Sequence, residues 1–299
     1  MDISSKNCRV DHLSSIYQFL PVVDVLRLDE LHPVVSGNKW FKLKEYLKDA
    51  KANGKKILLT FGGAYSNHIV ATSAAAQTME FSSVGIIRGE DPVILSHSLK
   101  TAVSYGMKLY FVSREVYRKK AVPEKVFTDY EESDIYIIPE GGYGKKGMMG
   151  AQDILLQNDI SVYTHFVSAV GTGTTLAGIS AAGLPHQKII GISVLKNNQS
   201  LQQEIKDLLP AEKHSSFELL HDYHFGGYAR HTKELIAFMD ELYVQTAIPT
   251  DFVYTAKSFY AVFDLVHTGY FAPNHKILLL HTGGLQGNVS LPKGTLIYG

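Results

Sequence analysis

An α/β fold built on parallel sheets is predicted by three observations. Short apolar runs alternate with helix-patterned segments along most of the 299 residues. The runs are continuous rather than alternating, as expected of strands covered by helices on both faces. Glycine-rich turns stand where two of the runs give way to helices, at Gly62-Gly63 and at Gly171-Thr172-Gly173. With 45% hydrophobic and 19% charged residues, the chain can bury one large core or two ordinary ones.

The strands are read at Val22–Leu28, Ile57–Phe61, Ser83–Arg88, Leu109–Val112, Ile135–Ile138, Thr164–Ala169, Ile189–Val194 and Ile277–His281. Between them the spacing predicts helices over Lys39–Asn53, Ser66–Met79, Ile94–Tyr105, Gly147–Gln157, Thr174–Ala182, His231–Tyr243 and Ala256–His267. In the first helix Leu43, Tyr46, Leu47 and Ala50 share one face, and Gly54 stands as a C-terminal stop. The segment from Glu140 to Gly147 (EGGYGKKG) is the most loop-like; it reads equally as a mobile surface loop or as the rim of a site.

Lys+Arg and Asp+Glu balance at 29 each, which leaves no electrostatic footprint for nucleic acid or an anionic membrane. Cys8 is the single cysteine, so no intrachain disulfide forms and a cysteine-based zinc site is excluded. The first thirty residues lack a signal-peptide pattern, and no apolar run reaches the ~18 residues of a membrane span. We expect a cytoplasmic protein whose partner is a small molecule.

Three segments carry chemistry. Gly37-Asn38-Lys39 opens a helix: Gly37 permits tight backbone geometry, Asn38 is a candidate cap, and Lys42 lies on the same face as Lys39. An imine-forming lysine must be neutral, and desolvation or a nearby cation depresses its pKa. Ser66-Asn67-His68 follows a strand and two glycines expected to turn the chain sharply. Ser66 reads as an N-cap, yet three polar side chains at one helix start exceed what capping needs, and a substrate carboxylate fits there. The stretch Gly171-Thr172-Gly173-Thr174-Thr175 ends a strand and opens a helix, either as a tight turn or as a phosphate cradle. Its spacing is neither that of a dinucleotide loop nor that of a Walker loop, and no carboxylate stands about 20 residues on to hold a ribose.

Together with Tyr228 in FGGYARH, Tyr254 in DFVYTAKS and the strand-ending HTGG at His281, these motifs resemble the family of 1-aminocyclopropane-1-carboxylate (ACC) deaminases and D-cysteine desulfhydrases. The resemblance spans nearly the whole chain. It implies a two-domain α/β enzyme of the tryptophan synthase β-like fold (fold type II), with a smaller domain over residues 42–152 and a larger, discontinuous one over residues 1–41 and 153–299. It implies pyridoxal 5'-phosphate as cofactor, a small amino-acid substrate and a homodimer. Lys39 is then the lysine that carries the cofactor as an imine, and Lys42 a phosphate contact. Asn67 stands beside the cofactor's ring hydroxyl, while Gly171, Thr172, Gly173, Thr174 and Thr175 hold its phosphate. Ser66, Asn67, His68 and Tyr228 meet the substrate; Lys39, Ser66, Tyr228 and Tyr254 are the candidate catalytic residues. Thr255 is expected at the pyridine nitrogen, and Thr282 beside the cofactor.

Three positions bear on the reaction by the same resemblance. Deaminases have glutamate, leucine and glutamine where this chain has Thr255, Thr282 and His68, and the latter set resembles the desulfhydrase branch. A neutral hydroxyl at the ring nitrogen suits α,β-elimination of a good leaving group, whereas opening a cyclopropane is served by a stronger electron sink. Elimination to pyruvate, ammonia and sulfide is therefore the expected reaction, with ACC deamination the alternative.

Overall fold

The computed structural model describes residues 8–35, 37–156 and 159–298. Its strands form two sheets. The six-stranded sheet runs β1 (Val10–His12), β2 (Val22–Arg27), β10 (Lys276–His281), β7 (His165–Val170), β8 (Lys188–Ser193) and β9 (Phe217–Leu220). Its pairs are parallel except β1 with β2. The second sheet, β5 (Met107–Val112), β4 (Ser82–Arg88), β3 (Ile57–Gly63) and β6 (Ile135–Ile138), is parallel throughout.

The helices are α1 (Ser14–Tyr17), α2 (Asn38–Ala52), α3 (Asn67–Thr78), α4 (His97–Ser104), α5 (Arg114–Arg118), α6 (Glu124–Asp129), α7 (Lys145–Leu156), α8 (Thr174–Ala182), α9 (Leu201–Lys206), α10 (Lys233–Thr246) and α11 (Thr255–His267). Burial on both faces explains the unbroken apolar runs. In β10, Leu278 and Leu280 face a core shared with α7 and α8, while Ile277 and Leu279 face one shared with α11. In β3, Leu58 packs with Leu43, Leu47 and Ala71, whereas Leu59 and Phe61 pack with Val84 and Tyr117 on the other side.

Every strand and helix predicted from the sequence is present; β6 and α8 keep the predicted bounds, and the others have shifted ends. The helix expected from Ile94 begins at His97, because Ser96 accepts the N–H of Leu99 and caps it, leaving Val93 and Ile94 exposed. The end expected at Gln157 lies outside the described residues. Strands β1 and β9 were not expected: both are short edge strands, and none of their residues is fully buried, so neither leaves an apolar run to read. Gly54, at φ +63°, closes α2 by donating to the Lys51 carbonyl.

Three helices meet backbone to backbone. A Cβ on Gly150 of α7 would lie 1.9 Å from the carbonyl oxygen of Phe41 in α2, and one on Gly178 of α8 would lie 2.8 Å from that of Met148 in α7. The segment from Glu140 leads into this stack. It is a packed turn, not a mobile surface loop: the Tyr46 hydroxyl donates to the Tyr143 carbonyl at 2.6 Å, and Tyr143 donates to the Glu204 carbonyl at 3.1 Å.

Candidate active site

The carboxyl ends of the parallel strands from both sheets open on one cleft of about 550 Å³. Asn38, Lys39 and Lys42 from α2 line it, as do Ser66, Asn67 and His68 at the start of α3. So do Gly171, Thr172, Gly173 and Thr175 after β7, together with Tyr228, Tyr254 and Thr282. Two expected residues are not on this wall. Thr174 is buried behind it with its hydroxyl 3.3 Å from that of Thr172. Thr255 is fully buried, and its hydroxyl donates to Asp251 Oδ1 at 2.8 Å while accepting the Asp251 N–H. The expected placement of the Thr255 side chain in the cleft is therefore corrected: its proton is already given to a carboxylate.

Lys39 is placed by its helix start. Gly37 is the N-cap at φ +66°, and a Cβ there would sit 1.9 Å from the Thr282 carbonyl oxygen, which accepts the Asn38 N–H. Asn38 is thus not the cap expected from the sequence. It is a buried bridge that donates from Nδ2 to Thr175 Oγ1 at 2.9 Å and accepts Lys39 Nζ at 3.0 Å. Burial pulls the Lys39 amine down to about 8, against the opposing attraction of Asp251. Lys42, more deeply buried, is driven well below the usual lysine range by burial and by the charge of Lys39.

The loop after β7 is shaped for an anion. Gly173 caps α8 at φ +78° with no side-chain partner, and a Cβ there would strike Ile205 at 2.4 Å. The N–H groups of Thr172 through Thr175 find no acceptor among the described residues. Free N–H groups at a helix start, with the amines of Lys39 and Lys42 lining the same cleft, fit a phosphate dianion and an aldehyde on one molecule.

At α3 the glycines act differently from expectation. Gly62 and Gly63 continue β3 in register with β4, and the turn follows them. Gly62 is required for space, since a Cβ would meet Ile69 at 2.4 Å. Ser66 caps α3 by accepting the Ile69 N–H at 3.4 Å. Thr60 spends its hydroxyl proton on the Ile138 carbonyl at 2.8 Å, so it must accept from His68 Nε2 at 2.9 Å. His68 is 3% exposed, and burial and the two lysines hold its pKa well below the usual histidine range. It is therefore neutral with the proton on Nε2, leaving a bare Nδ1 lone pair. Neither that atom nor Asn67 Oδ1 has a partner among the described residues.

On the opposite wall Lys39 Nζ lies 6.0 Å from the Tyr254 ring centroid. The Tyr254 hydroxyl, held well above the usual tyrosine range by burial and by Tyr228, is 3.4 Å from that of Tyr228. Reading the sequence missed Asp251, which accepts the N–H groups of Val253, Tyr254 and Thr255 and so aims Tyr254 into the cleft. Its signal was available: an aspartate just before a helix is a cap candidate. It also missed Arg88, which lines the cleft from the end of β4, while Glu140 and Gly141 line it as the site rim that the 140–147 segment allowed.

A two-sheet α/β framework with paired lysines facing a phosphate-type loop defines an enzyme that works through an aldehyde cofactor. The chain belongs to the family of pyridoxal-phosphate dependent enzymes, which matches residues 12–283, and pyridoxal phosphate is its cofactor. It is 29% identical to a putative ACC deaminase of Pyrococcus furiosus over 93% of this chain and 89% of that one. It is 25% identical to a D-cysteine desulfhydrase of Serratia proteamaculans over 95% and 93%. A bifunctional D-cysteine desulfhydrase/ACC deaminase of Arabidopsis thaliana is 27% identical over 85% and 70%. Among solved structures, an ACC deaminase homologue superposes with a TM-score of 0.80 at 26% identity, covering 95% of this chain and 91% of that one. These findings bear out the expected fold, family and cofactor.

Proposed function

We propose that this enzyme eliminates a β-substituent from a small amino acid, with D-cysteine the first substrate to test, releasing pyruvate, ammonia and sulfide. The observation that carries the site assignment is Lys39, a buried amine near pKa 8 that lines one cleft with the free N–H groups of the 172–175 loop. Those N–H groups and Lys42 would hold the phosphate, Asn67 would lie beside the ring, and Lys39 would bind the aldehyde. The bound cofactor supplies an electron sink for a negative charge on the substrate's α-carbon.

The residues of the chain do the rest. The N–H groups at the start of α3, with Ser66, receive the substrate carboxylate. Lys39 Nζ takes the α-proton, and the Tyr254 hydroxyl, held protonated well above the usual tyrosine range, donates toward the departing group with Tyr228 beside it; water then hydrolyses the unsaturated product to pyruvate and ammonia. Neutral His68 and Thr282 add polar groups to the same cleft. Elimination is supported over ring opening because the position occupied by glutamate in deaminases is Thr255, whose hydroxyl is bound to Asp251. ACC deamination is the second reading, supported by the names of the Pyrococcus and Arabidopsis relatives.

The division into a smaller domain, residues 42–152, and a larger one made of residues 1–41 and 153–299 is supported by sheet membership, because β3 to β6 all fall in the first range. Assembly as a cytoplasmic homodimer completes the reading. Among the described residues no helix is long and apolar enough to cross a membrane.

Borohydride reduction of the holoenzyme followed by peptide mapping tests the site: the cofactor is fixed on Lys39, and Lys39→Ala loses both the absorbance band and turnover. Label on another lysine, or turnover that survives Lys39→Ala, overturns it. Sulfide and pyruvate from D-cysteine establish elimination; 2-oxobutanoate from ACC, without them, establishes the second reading.

A further inference from the structure

Lys257 is fully buried, yet it lies outside the cleft and forms no ion pair among the described residues. A buried ammonium without a bonded carboxylate is costly, so its hydrogen bonds indicate what it does. Nζ donates to the carbonyl oxygens of His224 at 2.9 Å and Gly227 at 2.7 Å. Both carbonyls belong to the loop between β9 and α10. In that loop Phe225, Gly226, Gly227 and Ala229 all have positive φ, at 49°, 91°, 115° and 52°. Two non-glycine residues in that region make this a strained conformation that its surroundings must enforce. The same two carbonyls close the loop's internal turns, accepting from Gly227 N–H and Arg230 N–H.

Tyr228 is the residue this loop presents. Its ring meets Tyr254 edge-on, with centroids 5.9 Å apart and the two hydroxyls 3.4 Å apart. Tyr254 is the N-cap of α11, and Lys257 lies three residues further on, in the first turn of that helix. One helical turn therefore sets both tyrosines, Tyr254 through its own backbone and Tyr228 through a charge-assisted grip on the carbonyls around it. We propose that Lys257 is the positioning residue for Tyr228, holding its hydroxyl against that of Tyr254 without touching substrate or cofactor. This rests on the assignment of Tyr228 to the substrate wall.

A double-mutant cycle in the holoenzyme tests it. Lys257→Met is expected to keep the cofactor band and the borohydride label on Lys39. It should lower kcat/KM by about tenfold in the parent and by less than about twofold in a Tyr228→Phe background. Amide exchange across residues 224–230 should rise in Lys257→Met by a similar factor, with or without turnover, so this arm survives a wrong choice of substrate. Equal losses in both backgrounds, or unchanged exchange in the loop, overturn the proposal. Loss of the band in the parent enzyme would instead overturn the cofactor assignment. If Lys257→Met does not fold, Gly227→Ala strains the same loop from the other side. It must show the same dependence on Tyr228, or the proposal fails.

Discussion

Two helix starts line the same cleft, and they are finished differently. At α3, Ser66 supplies its own side-chain oxygen to the Ile69 N–H, so the end is partly satisfied in the chain itself. At α8 nothing does this: Gly173 has no side chain, and the N–H groups around it stay open. Capped ends are stable alone, while an uncapped end is stabilised by the anion it receives. The α8 start is thus suited to a permanently held dianion, and the α3 start to a carboxylate that comes and goes.

The comparison breaks most sharply at Gly173. Gly173→Val places a β-branched residue at φ +78° and drives Cβ into Ile205, so cofactor affinity should fall at least ~100-fold in an equilibrium titration. Tight binding by that variant would show that the α8 start is not the phosphate site. The pH dependence of imine formation probes the amine between the two starts. Only the neutral form attacks, and Lys39 sits near 8, so the rate should climb about tenfold per pH unit below 8 and level off above it. A profile that keeps rising to pH 10 would place the amine in water.

Ser66→Ala should cost about 1 kcal/mol of stability and raise KM more than it lowers cofactor affinity, whereas Ser66→Gly should cost only a few tenths of a kcal/mol. Equal damage to cofactor binding would erase the distinction between the two ends. The smallest effect concerns His68. Its folded pKa lies below its unfolded one, so between the two values the unfolded chain binds the extra proton and stability rises with pH. Its share of stability should be lost as pH falls below about 6.5, the unfolded value, and His68→Gln should flatten that part of a denaturation series.

Periodicity made the strands and most helices legible, and residue type at the strand ends pointed to Lys39, Ser66, Asn67 and the 171–175 loop. What stayed hidden was direction. The hydroxyl of Thr255 was expected in the cleft, but whether it faces the cleft or Asp251 depends on a turn closed by three backbone N–H groups, and no spacing rule records that. The role of Asn38 was misjudged for a related reason. Its partner, Thr175, is 137 positions away, so local capping logic could not see the bridge. Lys257 sat within the DFVYTAKS motif, yet nothing in its neighbours predicts that it reaches back to His224 and Gly227.

The stack of α2, α7 and α8 has a consequence for change over time. Where helices touch through glycine backbones, almost any larger side chain at Gly150 or Gly178 collides with main chain that cannot rotate away. Lys39 on α2 and the start of α8 belong to that one helix stack, so the two proposed cofactor anchors cannot drift apart by gradual substitution. The other rim, at Tyr65 and Arg88, consists of exposed side chains at a turn and a strand end. New substrates can be acquired there one residue at a time while the catalytic chassis is inherited unchanged.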